Sequence, residues 1–541
     1  MKPIILGLCL LCTAFIAPLK AQNPPVRLGD LQAYSLADVA TDPIARDFAA
    51  QLGQDKVKEA IALAEAAVAK GEPMGDFLLG YAAEQGKGGE ADLAKAEKHY
   101  REAAKRNHAP SVTNLAALLL RQNPTNEEAV KLLRTVVEQD PKIAGFFLGF
   151  GYLSGATGTA DFQSAAQMWT KSAEAGNIPA YRYLGFLYQG NLGFPAQADL
   201  KKAAECYEKA ANKDDAEGAI RLGLLILQAG DKIGHKPTEA TAWFEKAAST
   251  NNAAALYLLG QVREQGVKDG VAADPKAARE LYTKAANQDN AAALLRLGYM
   301  LERGVGGDTN LPEAVKKYRK AAELGEAGAY FNLGILTQKG EGGLEKSEAE
   351  AFRFYLQSAL RGFAPGQNLV GMAYRAGTGA SPDVIAAAAW FSRAAEQGES
   401  NAMVSLAEMM LSNQGLPFNA ELLGKLTQTA FGAGNPRAGM LLGRMAERGV
   451  GLEKNVAQAL TFFRWAGKQG MEDGTKAAAE LEKTMTKEQI QEADKLTKQL
   501  EEQKKAEAAK QGDAPKADAP KPGDAPKADA PKTDADKPKK P

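Results

Sequence analysis

Three histidines are the side chains best suited to acid–base or metal chemistry: His99, His108 and His235. A helical metal pair needs two imidazoles at i and i+4, so that both leave one face. His99 lies inside an apolar-periodic segment, His108 just after its end, and His235 in a stretch of variable length, so no such pair forms. All three read as surface residues. Of three cysteines, Cys9 and Cys12 fall in an N-terminal apolar run, and Cys206 stands beside Tyr207. It reads as a buried small apolar residue rather than a nucleophile. The segment ERGVGG (302–307) has the glycine density of a phosphate loop. Both phosphate-binding versions follow a strand, whereas these glycines lie between two helical segments, and ERGVG recurs at 447–451 in the same register. No Ser-x-x-Lys pairing or Gly-x-Ser-x-Gly elbow stands out. The expectation is a protein that is not an enzyme, with no cofactor and no metal.

The elements that would have to hold such chemistry repeat. A Leu-Gly phrase anchors the chain at Gly80, Ala116, Gly149, Gly185, Gly223, Gly260, Gly298, Gly334, Gly371, Ala407 and Gly443, in steps of 33 to 38 residues. A period in the thirties marks a solenoid of two-helix units. A second column holds Tyr100, Leu133, Trp169, Tyr207, Phe244, Tyr282, Tyr318, Tyr355, Phe391, Thr427 and Phe463. Each of its first ten members stands 16 residues before the next anchor, while the other half-interval varies from 17 to 22. The constant half predicts a rigid packed joint, and the variable half a surface loop where insertions cost little.

Each half reads as a helix. Five residues before every anchor the residue is small (Gly75, Ser111 and Ala144 in the first three), which predicts close approach of a neighbouring helix. Alanine sits four before the aromatic column in ten of eleven cases, with Leu423 the exception. Seven residues after the column come Asn107, Asp140, Gly176, Asp214, Asn251, Asp289, Gly325, Gly362, Gly398, Gly434 and Gly470. These types tolerate a left-handed backbone, so the second helix is expected to stop there.

Phrases such as AYFNLGILTQKGEGG, PEAVKKYRKAAELG and MLLGRMAERGVGLEKNVAQALTFFRWAGKQG resemble Sel1-like repeats, relatives of the tetratricopeptide repeat with a longer loop. The resemblance spans roughly Ala64 to Gly470. It implies an all-α fold, a right-handed α/α superhelical solenoid of about eleven helix-turn-helix repeats. It also implies an adaptor that works through protein–protein interaction. The second repeat (Ala116, Leu133) and the tenth (Ala407, Thr427) depart from the pattern and are expected as bends or weak points. Some exported relatives of β-lactamase or penicillin-binding type carry a cysteine pair in nearly every repeat, which Cys206 alone does not match. A cell-wall-directed enzyme or binder, and a part of a polysaccharide or secretion assembly, remain the alternatives.

The flanks complete the organisation. Lys2, the apolar run Ile4 to Ala17 and Ala21 read as a signal peptide cleaved after Ala21, which places the chain in the periplasm or outside the cell. The run is too short for a membrane span of about 20 residues, and Leu8 before Cys9 does not suit lipidation. The domains follow: 1–21 signal peptide, 22–74 N-terminal segment and capping helices, 75–470 solenoid, 471–508 C-terminal capping helices, and a Pro/Ala/Lys/Asp-rich tail at 509–541. Helix 57–71 reads as half of a degenerate first repeat, and MTKEQI resembles the segment that closes such arrays. The tail lacks apolar residues larger than alanine and is expected to be disordered, with contact to cell-wall material as a second reading. Lys plus Arg and Asp plus Glu both number 66, which argues against nucleic acid as a partner. A protein partner is expected instead. Its candidate surface is the face of the first helices at −3, +1 and +4 from the anchor: Phe146, Phe150, Arg182, Phe186, Tyr257, Tyr299, Glu302 and Phe331. The competing reading packs these aromatics between repeats.

Overall fold

The computed structural model describes residues 33–192, 198–267 and 270–511. The segment expected to be a signal peptide (1–21) and residues 512–541 of the expected tail (509–541) lie outside the described residues. Among these, every regular element is a helix, and eleven consecutive helix pairs run from Pro73–Glu84 with Leu93–Ala104 to Pro436–Arg448 with Val456–Lys468. No helix among them is long and apolar enough to cross a membrane. The chain forms two compact units. One ends at Leu259 and includes Val267–Val271, and the other takes in Gly260–Gly266 and the chain from Ala272.

Within each unit the repeat is built from three joints. The first is the end of the second helix. Ten of the eleven expected stops adopt positive φ, from 55° at Asn107 to 95° at Gly176. Asp140 is the exception: its carboxylate accepts from the Ile143 and Ala144 amides and caps the following helix instead. The second joint spans the constant 16-residue half. A Cβ placed on Gly75 would lie 2.6 Å from the Ala64 carbonyl oxygen, and one on Gly218 would lie 2.7 Å from the Ala210 Cβ. The small column therefore faces the second helix of the preceding repeat.

The third joint lies across the variable half, where a loop does connect the two helices of each pair. The anchor glycine is pressed against the aromatic of its own pair. A Cβ on Gly80 would come within 2.7 Å of Tyr100, one on Gly298 within 2.6 Å of Tyr318, and one on Gly371 within 2.7 Å of Phe391. These rings are buried. Both residues of this contact lie within helices, so the loop joining the helices varies in length without breaking it. The contact also explains the two departing repeats. Where alanine replaces the anchor glycine, its methyl takes the space of a ring, and the column residue shrinks to Leu133 or Thr427. Ala116, Leu133, Ala407 and Thr427 are all fully buried. In the tenth repeat Leu423 replaces the usual alanine one turn earlier and is buried too, restoring volume. Packing is thus kept at the two sites expected to be weak.

The loop glycines have structural work. In ERGVGG, Gly304 ends its helix at φ 68°, and Gly306, at φ 71°, sits against the backbone of Pro275 at the start of the preceding second helix. At the N-terminal end, Val57–Ala69 buries Ala60 and Ala64 and stops at Gly71 with φ 79°. At the other end, Lys487–Gln511 lies over the last pair: Thr461 donates to the Ala493 carbonyl at 3.3 Å, and Arg464 bridges Glu482 and Asp494, both at 2.7 Å.

Candidate protein-binding face

Each histidine has one hydrogen-bond partner at Nδ1, and the His108 ring also meets Phe77 edge-on at 5.7 Å. His99 Nδ1 lies 3.0 Å from the buried carboxylate of Asp76, His108 Nδ1 lies 2.8 Å from Ser111 Oγ, and His235 Nδ1 lies 2.7 Å from Glu239. Burial holds the His108 imidazole below its ordinary pKa. No group of three metal-ligating side chains comes together among the described residues. Cys206 is half-buried rather than buried. Burial still pushes its thiol up to about 11, so the thiolate is scarce at neutral pH.

The eight expected surface residues separate into two groups. Phe146, Phe150 and Phe331 belong to the core. Phe146 and Phe150 stack edge-on with each other at 5.1 Å and with Tyr183 at 5.3 and 4.9 Å, and Phe331 meets Phe363 at 5.4 Å. The other five are half-buried. The Arg221 guanidinium covers Phe186 at 5.1 Å, and Arg296 covers Tyr299 at 4.9 Å. Arg182 pairs with Asp215 at 3.3 Å. Tyr257 is likewise half-buried, on Ala253–Gln265. Glu302 accepts from the Tyr318 hydroxyl at 2.8 Å.

That last contact recurs. The residue four after the anchor accepts the column tyrosine's hydroxyl in five repeats: Glu84 from Tyr100 at 2.7 Å, and Gln189 from Tyr207, Glu264 from Tyr282, Glu302 from Tyr318 and Gln338 from Tyr355 at 2.8 Å each. A buried phenol needs such an acceptor. The next first helix then places its −2 residue beside this pair. At Tyr282 and Glu264 that residue is Arg296, which donates twice to the carboxylate at 2.8 and 2.7 Å. At Tyr100 and Glu84 it is Asn114, whose Nδ2 donates to the Tyr100 oxygen at 3.3 Å.

Asn114 also holds a segment that is not part of any repeat. The Tyr34 amide donates to Asn114 Oδ1 at 2.8 Å, and Asn114 Nδ2 donates to the Tyr34 carbonyl at 3.2 Å. One carboxamide thus satisfies both backbone groups of one residue, as a neighbouring strand would. Burial raises the Tyr34 phenol above its ordinary pKa, and a hydrogen bond to Asp140 adds to this. So Asp140, diverted from ending a helix, receives the side chain whose backbone Asn114 holds. Neither role was legible in the repeat pattern. The available signal was a poor helix former set mid-helix in the apolar run NLAALLL.

The Sel1 repeat model matches residues 73–108, 143–177, 178–215, 216–252, 253–290, 291–326, 327–363, 364–399 and 436–471. The chain belongs to the Sel1 repeat family. The two gaps in this series, 109–142 and 400–435, hold the two helix pairs in which alanine and a smaller partner replace glycine and a ring. A protective antigen present in uropathogenic Escherichia coli strains, with an SLR fold, is similar in structure: TM-score 0.55, 26% identity, 85% of this chain and 98% of that one. In sequence, this Sel1 chain is similar to chitin synthase regulatory factors 4 and 3 of Schizosaccharomyces pombe. Identity is 23% over 313 residues, covering 57% of this chain and 44% of factor 4. It is 29% over 245 residues for factor 3, covering 37% and 26%. The chain thus spans less than half the length of these curated relatives.

Proposed function

We propose that this Sel1 repeat protein is an exported scaffold of the cell envelope that holds extended segments of partner proteins against the first helices of its repeats. One observation carries the reading: Asn114 grips the backbone of Tyr34 from both sides. A contact made through N–H and C=O reads an extended chain of almost any sequence, and a side-chain acceptor such as Asp140 adds selectivity. The regulatory names of the yeast relatives agree with a protein that acts by binding others. Export rests on the N-terminal Lys2, apolar run and Ala21.

Two measurements test the two parts. A photoreactive residue in place of Gln85, at the end of a first helix, is expected to give discrete protein adducts in living cells, whereas one in place of the outward Lys131 gives none. Equal or absent labelling at both sites rejects the scaffold. N-terminal sequencing of the protein from the periplasm or medium is expected to begin at Gln22, and an intact Met1 in the cytoplasm rejects export.

A further inference from the structure

The Tyr100–Glu84–Asn114 arrangement has one counterpart in register. Tyr318 donates to Glu302 at 2.8 Å, and the −2 residue of the next first helix, Ala327–Lys339, is Asn332. Where arginine fills this place, the chain uses it internally: Arg296 on Glu264, and Arg221 on Glu217 and over Phe186. Where asparagine fills it at position 114, the amide holds Tyr34. Asn332 makes no hydrogen bond to a described residue, and it is half-buried in the middle of a helix that alanine or leucine would suit better. The following first helix, Ala364–Ala376, carries a second asparagine one register position away. Asn368 is 7% exposed, and its Oδ1 has no hydrogen-bond partner among the described residues. A buried acceptor without a donor costs about 1–3 kcal/mol, so Asn368 needs a reason, and Asn332, half-buried on the preceding first helix, stands in the register where Asn114 holds a backbone.

We infer that Asn332, beside the Tyr318–Glu302 pair, is a second backbone clamp that takes an extended segment of a partner protein, with Asn368 offering a further acceptor to that segment. The inference rests on the scaffold reading. The partner's chemistry follows from what flanks the clamp. In the first clamp Asp140 stands seven residues after the column and meets the Tyr34 phenol. The same position after Tyr355 is Gly362, followed by Phe363, which packs on Phe331. The carboxylate has gone and a ring has come. The residue held here therefore carries an apolar side chain in place of a phenol, on a backbone with a free N–H, so not proline.

The probe is an acetylated peptide of residues 33–40 carrying Tyr34→Phe, titrated into the mature full-length protein by fluorescence anisotropy. Asn332→Ala is expected to weaken binding about tenfold, the loss of two hydrogen bonds that together supply about 1.4 kcal/mol. N-methylation of the probe at the phenylalanine is expected to weaken it equally. Lys131→Ala, at an exposed position outside both clamps, is expected to leave it unchanged, and Asn332→Ala to hold or raise the melting temperature, because alanine favours the helix. The second clamp is overturned if the probe fails to bind, if Asn332→Ala binds it like the wild type, or if binding is lost only in Asn114→Ala. In that last case the scaffold reading survives. Blank crosslinking at Gln85 is what would remove the scaffold reading itself.

Discussion

At the scale of single residues, the repeat is a lock between an absent side chain and a large one. Gly298 leaves room for the Tyr318 ring, which a Cβ would meet at 2.6 Å. Gly298→Ala is therefore expected to lower stability by about 1–3 kcal/mol, the usual cost of overpacking. In a Tyr318→Leu background, which copies the Ala116 and Leu133 pair, the same change should cost little. Chemical denaturation of the four proteins of this double-mutant cycle measures the coupling, and additive losses would contradict the lock. The Cys206 thiol is governed by burial. With its pKa pushed up to about 11, Cys206 is expected to react slowly with iodoacetamide at pH 8 and to react faster as the pH approaches 11 or when the chain unfolds. Reaction as fast as that of a free thiol in the folded protein would show that the side chain is open to water.

At the scale of elements, the two half-intervals have different freedoms. The constant half joins one pair to the next through a left-handed stop and a cap one residue later, as at Gly325 with φ 92° and Glu326. An alanine inserted between them would turn the next helix by about 100° against its neighbour. It is expected to abolish cooperative unfolding of the surrounding repeats by circular dichroism. The loop after Gly340 joins the helices that hold Gly334 and Tyr355, and nothing lies within 4 Å of where a side chain on Gly343 would begin. Two glycines inserted after Gly343 should shift the midpoint by well under 1 kcal/mol, since loop-closure cost grows slowly with length. This asymmetry was legible in the sequence because spacing records it directly. The partner of each anchor glycine was not, because the ring it meets lies across a stretch whose length varies.

At the scale of the molecule, buried phenols tie stability to alkaline pH. Burial raises Tyr100, Tyr207, Tyr318 and Tyr355 above the ordinary 10.0, and the carboxylates of Glu84 and Glu302 raise Tyr100 and Tyr318 further. The unfolded chain ionises these groups first. The stability they contribute is therefore whole below pH 10 and is lost as pH rises toward the folded values. Melting temperature is expected to fall steeply above pH 10, with phenolate absorbance at 295 nm appearing together with unfolding. Phenolate that appears before helix is lost would show the rings to be accessible.

The sequence by itself determined the period, the helix pairs, the stops and the small and aromatic columns. Each of these is a local rule repeated many times, so the repetition exposes it. Only the tertiary structure decided which side chains face one another across repeats. It buried Phe146, Phe150 and Phe331, for which helical register left a binding surface and packing between repeats both open. It also brought Tyr34 to Asn114, 80 residues away, where a segment outside the periodicity meets a helix inside it. No spacing rule encodes such a pair, because it forms once, and only after the repeats have stacked.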